Sequence, residues 1–213
     1  MVFREGLEEG IMNGDVAATV KIVQEALEEG ASPKEILEEG LIGVMKIVGV
    51  LFRDGEIFVP EVLMAAKAMK AGMELLKPLL AKSGVPVIGT VIFGTVLGDI
   101  HDIGKRVVSM MLEGSGFVVI DIGVNTPPQK FVDAVKENNA DFCMMSALLT
   151  TTMPNMKVTI EALKAAGLGE KIKTMVGGAS LNQSFADRYG ADGYGVNATV
   201  ATEVAKALIG KRS

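Results

Sequence analysis

The chain has 213 residues, a formal net charge of −5, 49% hydrophobic and 22% charged residues. That composition suits one large or two small globular domains and excludes general disorder. No Lys/Arg-rich block provides a basic face, so neither nucleic acid nor an anionic membrane surface is an expected partner.

Up to about Ser83 the apolar residues recur at helical spacing. Val16, Val20, Val23 and Leu27 mark one helix. Ser32-Pro33-Lys34-Glu35 opens another, with Ser as N-cap, Pro at the first helical position and Glu closing a capping box. Its apolar face runs from Ile36 to Phe52, and Arg53-Asp54-Gly55 breaks it. A final helix after Pro60 carries Leu63, Ala66, Met69, Met73 and Leu76. Four short helices joined by turns predict a small all-α bundle over residues 1–84. The string Leu-Glu-Glu-Gly, starting at Leu7, Leu27 and Leu37, reads as helix-end chemistry, since its intervals are too irregular for a solenoid.

From Val85 the period changes. Val85 to Phe93 is a β-branched apolar run suited to a strand buried on both faces, after a linker at Lys82-Ser83-Gly84. Further strands are expected at Phe117–Ile120, Asp141–Met145, Thr174–Val176 and around Tyr194. Helical stretches at 105–113, 129–138, 153–166, 185–189 and 199–208 alternate with them. This pattern predicts an α/β domain over 85–213, Rossmann-like (flavodoxin-like), with a five-stranded parallel sheet. Cys143, the single cysteine, lies in a strand and reads as a buried, inert thiol. The stretch from Val85 to Leu97 is too short and too interrupted to span a bilayer. The first residues lack a signal-peptide layout, and the expected location is the cytoplasm.

In parallel sheets ligands bind beyond the carboxyl ends of the strands. The first such loop reads Gly94-Thr95-Val96-Leu97-Gly98-Asp99-Ile100-His101-Asp102-Ile103-Gly104-Lys105 and holds the only histidine. An imidazole that ligates a metal usually donates its other N–H to a carboxylate, and Asp99 is two residues away. One histidine cannot hold a bare zinc ion, but it suffices for a metal that brings its own macrocycle and needs one axial ligand.

The motif Asp99-x-His101-x-x-Gly104 resembles the cobalamin-binding signature of the methionine synthase and corrinoid methyltransferase family. Companion motifs follow in order: Ser146-x-Leu148, extended through Thr150 to Met153, and Gly177-Gly178. The helical half is similar to that family's cap through Val48-Gly49-x-Leu51-Phe52 and Ile57-Phe58-Val59-Pro60. The resemblance implies a cofactor, cobalamin (methylcobalamin or a related corrinoid), bound base-off with His101 as the cobalt ligand. It implies cofactor contacts from Gly98, Asp99, Ile100, Asp102, Ile103, Gly104, Ser146, Leu148 and Thr150. It also implies backbone passing close to the buried tail at Gly177 and Gly178, with Ala198 beside the tail base. Phe52 and Val59 would cover the upper face, and Glu38 aligns with a cap carboxylate. Asp99 and Ser146 would relay a proton as the axial ligand comes and goes. Taken alone, the two glycines also fit a simple turn, Ser146 a helix cap and Phe52 bundle core. Ala179-Ser180-Leu181-Asn182 and Asn197 depart from the commonest form of the family.

The implied function is a non-catalytic corrinoid methyl carrier. It would shuttle a methyl group on cobalt between a substrate-specific methyltransferase and an acceptor methyltransferase delivering to tetrahydrofolate or coenzyme M. A reductive activase is a further implied partner. Alternatives are a cobalamin-dependent regulator or light sensor and the cobalamin-binding subunit of a mutase. A flavodoxin-like nucleotide binder is weakened by the lack of a clear G-x-G-x-x-G after the first strand. The methyl donor is not encoded in any motif.

Overall fold

A computed structural model describes residues 2–83 and 88–210, which form two compact units, one helical and one built on a sheet. The expected border at 84/85, and Val85–Val87 of the expected first strand, lie outside the described residues.

The helical unit contains α1 (Val2–Met12), α2 (Val16–Glu28), α3 (Pro33–Glu35), a π-helical turn over Ile36–Leu41, α4 (Ile42–Arg53) and α5 (Val59–Ser83). With α3, the π turn and α4 taken as one rod, these are the four helices of the expected bundle. The capping box forms as anticipated: Ser32 Oγ accepts from Glu35 N at 3.2 Å, and Glu35 Oε2 accepts from Ser32 N at 3.0 Å. Two expectations fail. The last helix is not short but spans 25 residues, and it includes Lys82 and Ser83 of the expected linker. Only one Leu-Glu-Glu-Gly string ends a helix, where Gly30 follows α2. Gly10 lies inside α1 and Gly40 inside the π turn; a Cβ there would meet Thr19 Oγ1 at 3.0 Å and Leu7 Cδ1 at 2.6 Å. Those two glycines permit close helix packing.

The second unit alternates strand and helix throughout. Its elements are β1 (Thr90–Thr95), α6 (Ile103–Glu113), β2 (Val118–Asp121), α7 (Pro128–Glu137) and β3 (Phe142–Ser146). After these come α8 (Pro154–Ala165), β4 (Lys173–Gly177), α9 (Gln183–Tyr189), β5 (Gly193–Gly195) and α10 (Ala198–Ile209). All five strands are parallel, in the order β2-β1-β3-β4-β5. The apolar runs were continuous because both faces are buried. Ile92, Cys143, Met145 and Val176 pack with α7, α8 and α9. Val91, Phe93, Phe142, Met144 and Met175 pack on the other face with Leu112 and Ala205 of α6 and α10. Burial raises the Cys143 thiol well above its ordinary range, so it stays protonated and inert. Among the described residues, no helix is long and apolar enough to cross a membrane.

The strand order reverses between β1 and β3, which opens a crevice at their carboxyl ends. The register places Thr95, Ser146, Gly177 and Gly195 in one row across β1, β3, β4 and β5. The three sequence motifs therefore begin side by side, although more than 40 residues separate the first two.

Candidate functional site

At the head of β1 the chain turns through Val96–Asp99 before entering α6. Asp99 is wholly buried, whereas the His101 side chain is 47% exposed. One carboxylate oxygen of Asp99 accepts from His101 N at 3.0 Å and lies 2.8 Å from His101 Nδ1. The other accepts from Leu148 N at 2.8 Å, Leu149 N at 3.2 Å and Thr152 Oγ1 at 2.7 Å. Burial works to raise the Asp99 carboxyl. Donors from Thr152, from the His101 backbone and ring, and from Leu148 outweigh it and hold the group well below the usual carboxylate range. An ionised carboxylate only accepts, so the neighbouring ring nitrogen must donate. Nδ1 therefore carries a proton, and Nε2 is the ring nitrogen left for a ligand.

Exposed apolar side chains stand on the segments that follow the strands at this end of the sheet. Ile100 and Ile103 are 71% and 75% exposed, and Leu97, Leu148 and Val196 are exposed as well. Among the described residues no three His, Cys, Asp or Glu side chains converge on a metal position. A bare ion has no cage here. A single free imidazole lone pair amid an apolar rim fits a flat macrocycle carrying its own metal.

A B12 binding domain profile matches residues 89–203, and a second profile, also described as a B12 binding domain, matches residues 3–77. The chain belongs to the B12-binding family. It is 50% identical over 178 residues to dimethylamine corrinoid protein 1 of Methanosarcina acetivorans, covering 83% of this chain and 84% of that one. It is 42% identical over 204 residues to trimethylamine corrinoid protein 1 of the same organism, covering 95% and 94%. A chain of the methanol:cobalamin methyltransferase complex from Methanosarcina barkeri superposes with a TM-score of 0.87 at 32% identity, covering 100% of this chain and 81% of that one. Cobalamin is the cofactor that this family of domains binds, in agreement with the sequence.

Within this B12-binding chain the motif residues divide by what they touch. Gly98, Asp99, Ile100 and His101 form the loop just described. Asp102 turns away and pairs with Arg106 at 2.7 Å. Gly104 faces open space, with nothing within 4 Å of a built Cβ. Leu148 contributes its backbone N–H to Asp99 and leaves its side chain exposed, and Thr150 is exposed. Ser146 makes no hydrogen bond to Asp99 among the described residues. Its hydroxyl lies 2.9 Å from Thr95 Oγ1, which itself donates to His101 O at 3.1 Å, so Ser146 is the donor to Thr95. Thr152 supplies the hydroxyl on Asp99 instead. Sequence reading missed it because Thr150, Thr151 and Thr152 are alike in type, and only the turn closed by Thr152 N to Leu149 O selects the one that points inward.

The glycine pair also divides. Gly178 sits at φ +144°, and a Cβ there would fall 1.9 Å from Ala147 O, so glycine is required by the protein's own backbone. At Gly177 the nearest atom is Gly195 O at 3.4 Å, an easy contact. Ala198 is buried as the first residue of α10, behind its N-cap Asn197. Phe52 and Val59 are half-buried in the helical unit, at the end of α4 and the start of α5. Glu38 lies in the π turn, 3.9 Å from Lys34.

Proposed function

We propose that this chain is the corrinoid methyl carrier of a methylamine methyltransferase system, with dimethylamine as methyl donor and cobalamin bound base-off on His101. The observation that carries the reading is the His101–Asp99 pair: a half-exposed imidazole whose Nδ1 is held 2.8 Å from a buried carboxylate, which leaves Nε2 for a ligand. Similarity supports this donor: identity to dimethylamine corrinoid proteins runs from 43% to 50%, against 42% to 43% for trimethylamine ones. When bound, the corrinoid supplies a cobalt centre able to accept a methyl group and yield it again. His101 would hold that cobalt, and Asp99 would fix the ring and strengthen it as a donor. Ile100, Ile103, Leu148 and Val196 would shield the cofactor from water, and Ser146, Gly177, Gly178 and Ala198 would hold its tail. Residues 1–84 serve as the cap, with Phe52 and Val59 as its covering side chains, and cap movement admits each partner in turn. Those partners are a dimethylamine-specific methyltransferase, an acceptor methyltransferase and a reductive activase, and the setting is the cytoplasm.

The test is anaerobic reconstitution with hydroxocobalamin, desalting, reduction to Co(II), and EPR with and without ¹⁵N-histidine. Since His101 is the only histidine, a nitrogen splitting that changes from triplet to doublet on labelling identifies the lower ligand. A splitting indifferent to the label rejects His-on binding. Methylation of the reduced carrier by a purified dimethylamine methyltransferase with dimethylamine, but not by a trimethylamine methyltransferase with trimethylamine, checks the donor; the reverse preference rejects it.

A further inference from the structure

The β2–α7 loop, residues 122–127, braces the His101 loop from the side. Asn125 has φ +50°, a left-handed conformation in which glycine is the easiest residue and asparagine the commonest substitute. Its side chain shows why glycine would not do the same work. Asn125 Oδ1 accepts from Gly98 N at 2.7 Å, while Asn125 N donates to Asp99 O at 2.8 Å. One residue thus holds the backbone on both sides of the Gly98–Asp99 step, and Asp99 is the residue that holds the His101 ring.

The brace is itself anchored. Lys105, two residues into α6 and with its side chain only 1% exposed, donates to Asp121 and to Gly123 O at 2.9 Å. Thr95 N donates to Gly123 O at 3.0 Å, and Thr126 N donates to Thr95 O at 3.0 Å. The loop after β2 is thereby tied to the end of β1, to the start of α6 and, through Asn125, to the turn between them. An accepting side chain at position 125 closes this ring of contacts. A glycine would keep the backbone shape and leave the Gly98 N–H without its partner.

We infer that Asn125 is a positioning residue for His101: by holding Gly98 and Asp99 it keeps the imidazole in the tautomer that presents Nε2 to cobalt. The inference rests on His101 being the lower ligand, but its first readout needs no cofactor. The single histidine gives one pair of ring nitrogen resonances, and in the cofactor-free protein these report its tautomer directly. Asn125→Gly retains the left-handed backbone and removes the acceptor; Asn125→Asp retains the acceptor. The expected result is a single Nδ1–H tautomer in the wild type and in Asn125→Asp, and a mixed population in Asn125→Gly. Hydroxocobalamin titrations should show Asn125→Gly binding about tenfold more weakly, a loss typical of a group supporting a metal ligand, and Asn125→Asp within about twofold of wild type. Circular dichroism melts confirm that both variants fold. The inference is overturned if Asn125→Gly keeps the wild-type resonances and affinity, or if Asn125→Asp fails as badly as Asn125→Gly. A wild-type EPR spectrum without histidine nitrogen would reject the lower-ligand reading, whereas the cofactor-free resonances would still report whether Asn125 holds the ring.

Discussion

The loops that leave β1 and β4 both carry motif residues, yet the structure uses them in opposite ways. After β1, Asp99 is buried and takes five hydrogen bonds, three of them from residues of the segment following β3. Its job is chemical: to hold a ring that stands half in the open. After β4, Gly178 has no side chain to offer and is dictated by a carbonyl, Ala147 O, that leaves no room for one. A signature thus mixes residues whose side chains make contacts, as Asp99 does, with residues whose lack of a side chain is what the backbone requires, as at Gly178.

The largest effect should come from Gly178→Ala. A forced left-handed alanine against a main-chain oxygen should cost on the order of 4 kcal/mol in urea denaturation of the cofactor-free protein. A loss below about 1 kcal/mol would place the requirement for glycine in the ligand instead. Asp99→Ala comes next, at about 3 kcal/mol, because it strands the donors that surround a buried carboxylate. Thr152→Val should cost about 1.5 kcal/mol by removing one hydrogen bond to that charge, whereas Ser146→Ala should leave the His101 ring resonances unchanged. If Ser146→Ala moves those resonances and Thr152→Val does not, the assignment of the Asp99 hydroxyl partner is wrong. The smallest effect on folding, and of opposite sign, belongs to Gly104→Ala. With open space around it at the start of α6, it should be neutral or stabilise by up to about 1 kcal/mol while weakening hydroxocobalamin binding. Equal affinity in that variant would remove Gly104 from the cofactor site.

Much of this was legible in the chain because its signals are local. The capping box at Ser32, the switch from helical to strand periodicity and the alternation of strand with helix depend on neighbours in sequence, and each of these features recurs in the structure. The site was legible in outline for the same reason, since Asp99 and His101 are two residues apart and meet at 2.8 Å. Other readings failed where the deciding partner is remote. Gly10 and Gly40 sit inside helices because other segments press on them. Thr152 stands 53 residues from the carboxylate it touches, and Asn125 lies 27 residues from Gly98.

By itself, then, the sequence determined the two-part division, the parallel α/β plan and the loop that carries the Asp99–His101 pair, because periodicity, caps and a lone histidine are readable within a few residues. Only the tertiary structure decided which hydroxyl serves Asp99, why Gly178 must be glycine and how the β2–α7 loop supports His101. Those choices depend on the sheet order β2-β1-β3-β4-β5, which brings distant loops to one edge, where burial and hydrogen-bond geometry select among residues that look alike along the chain.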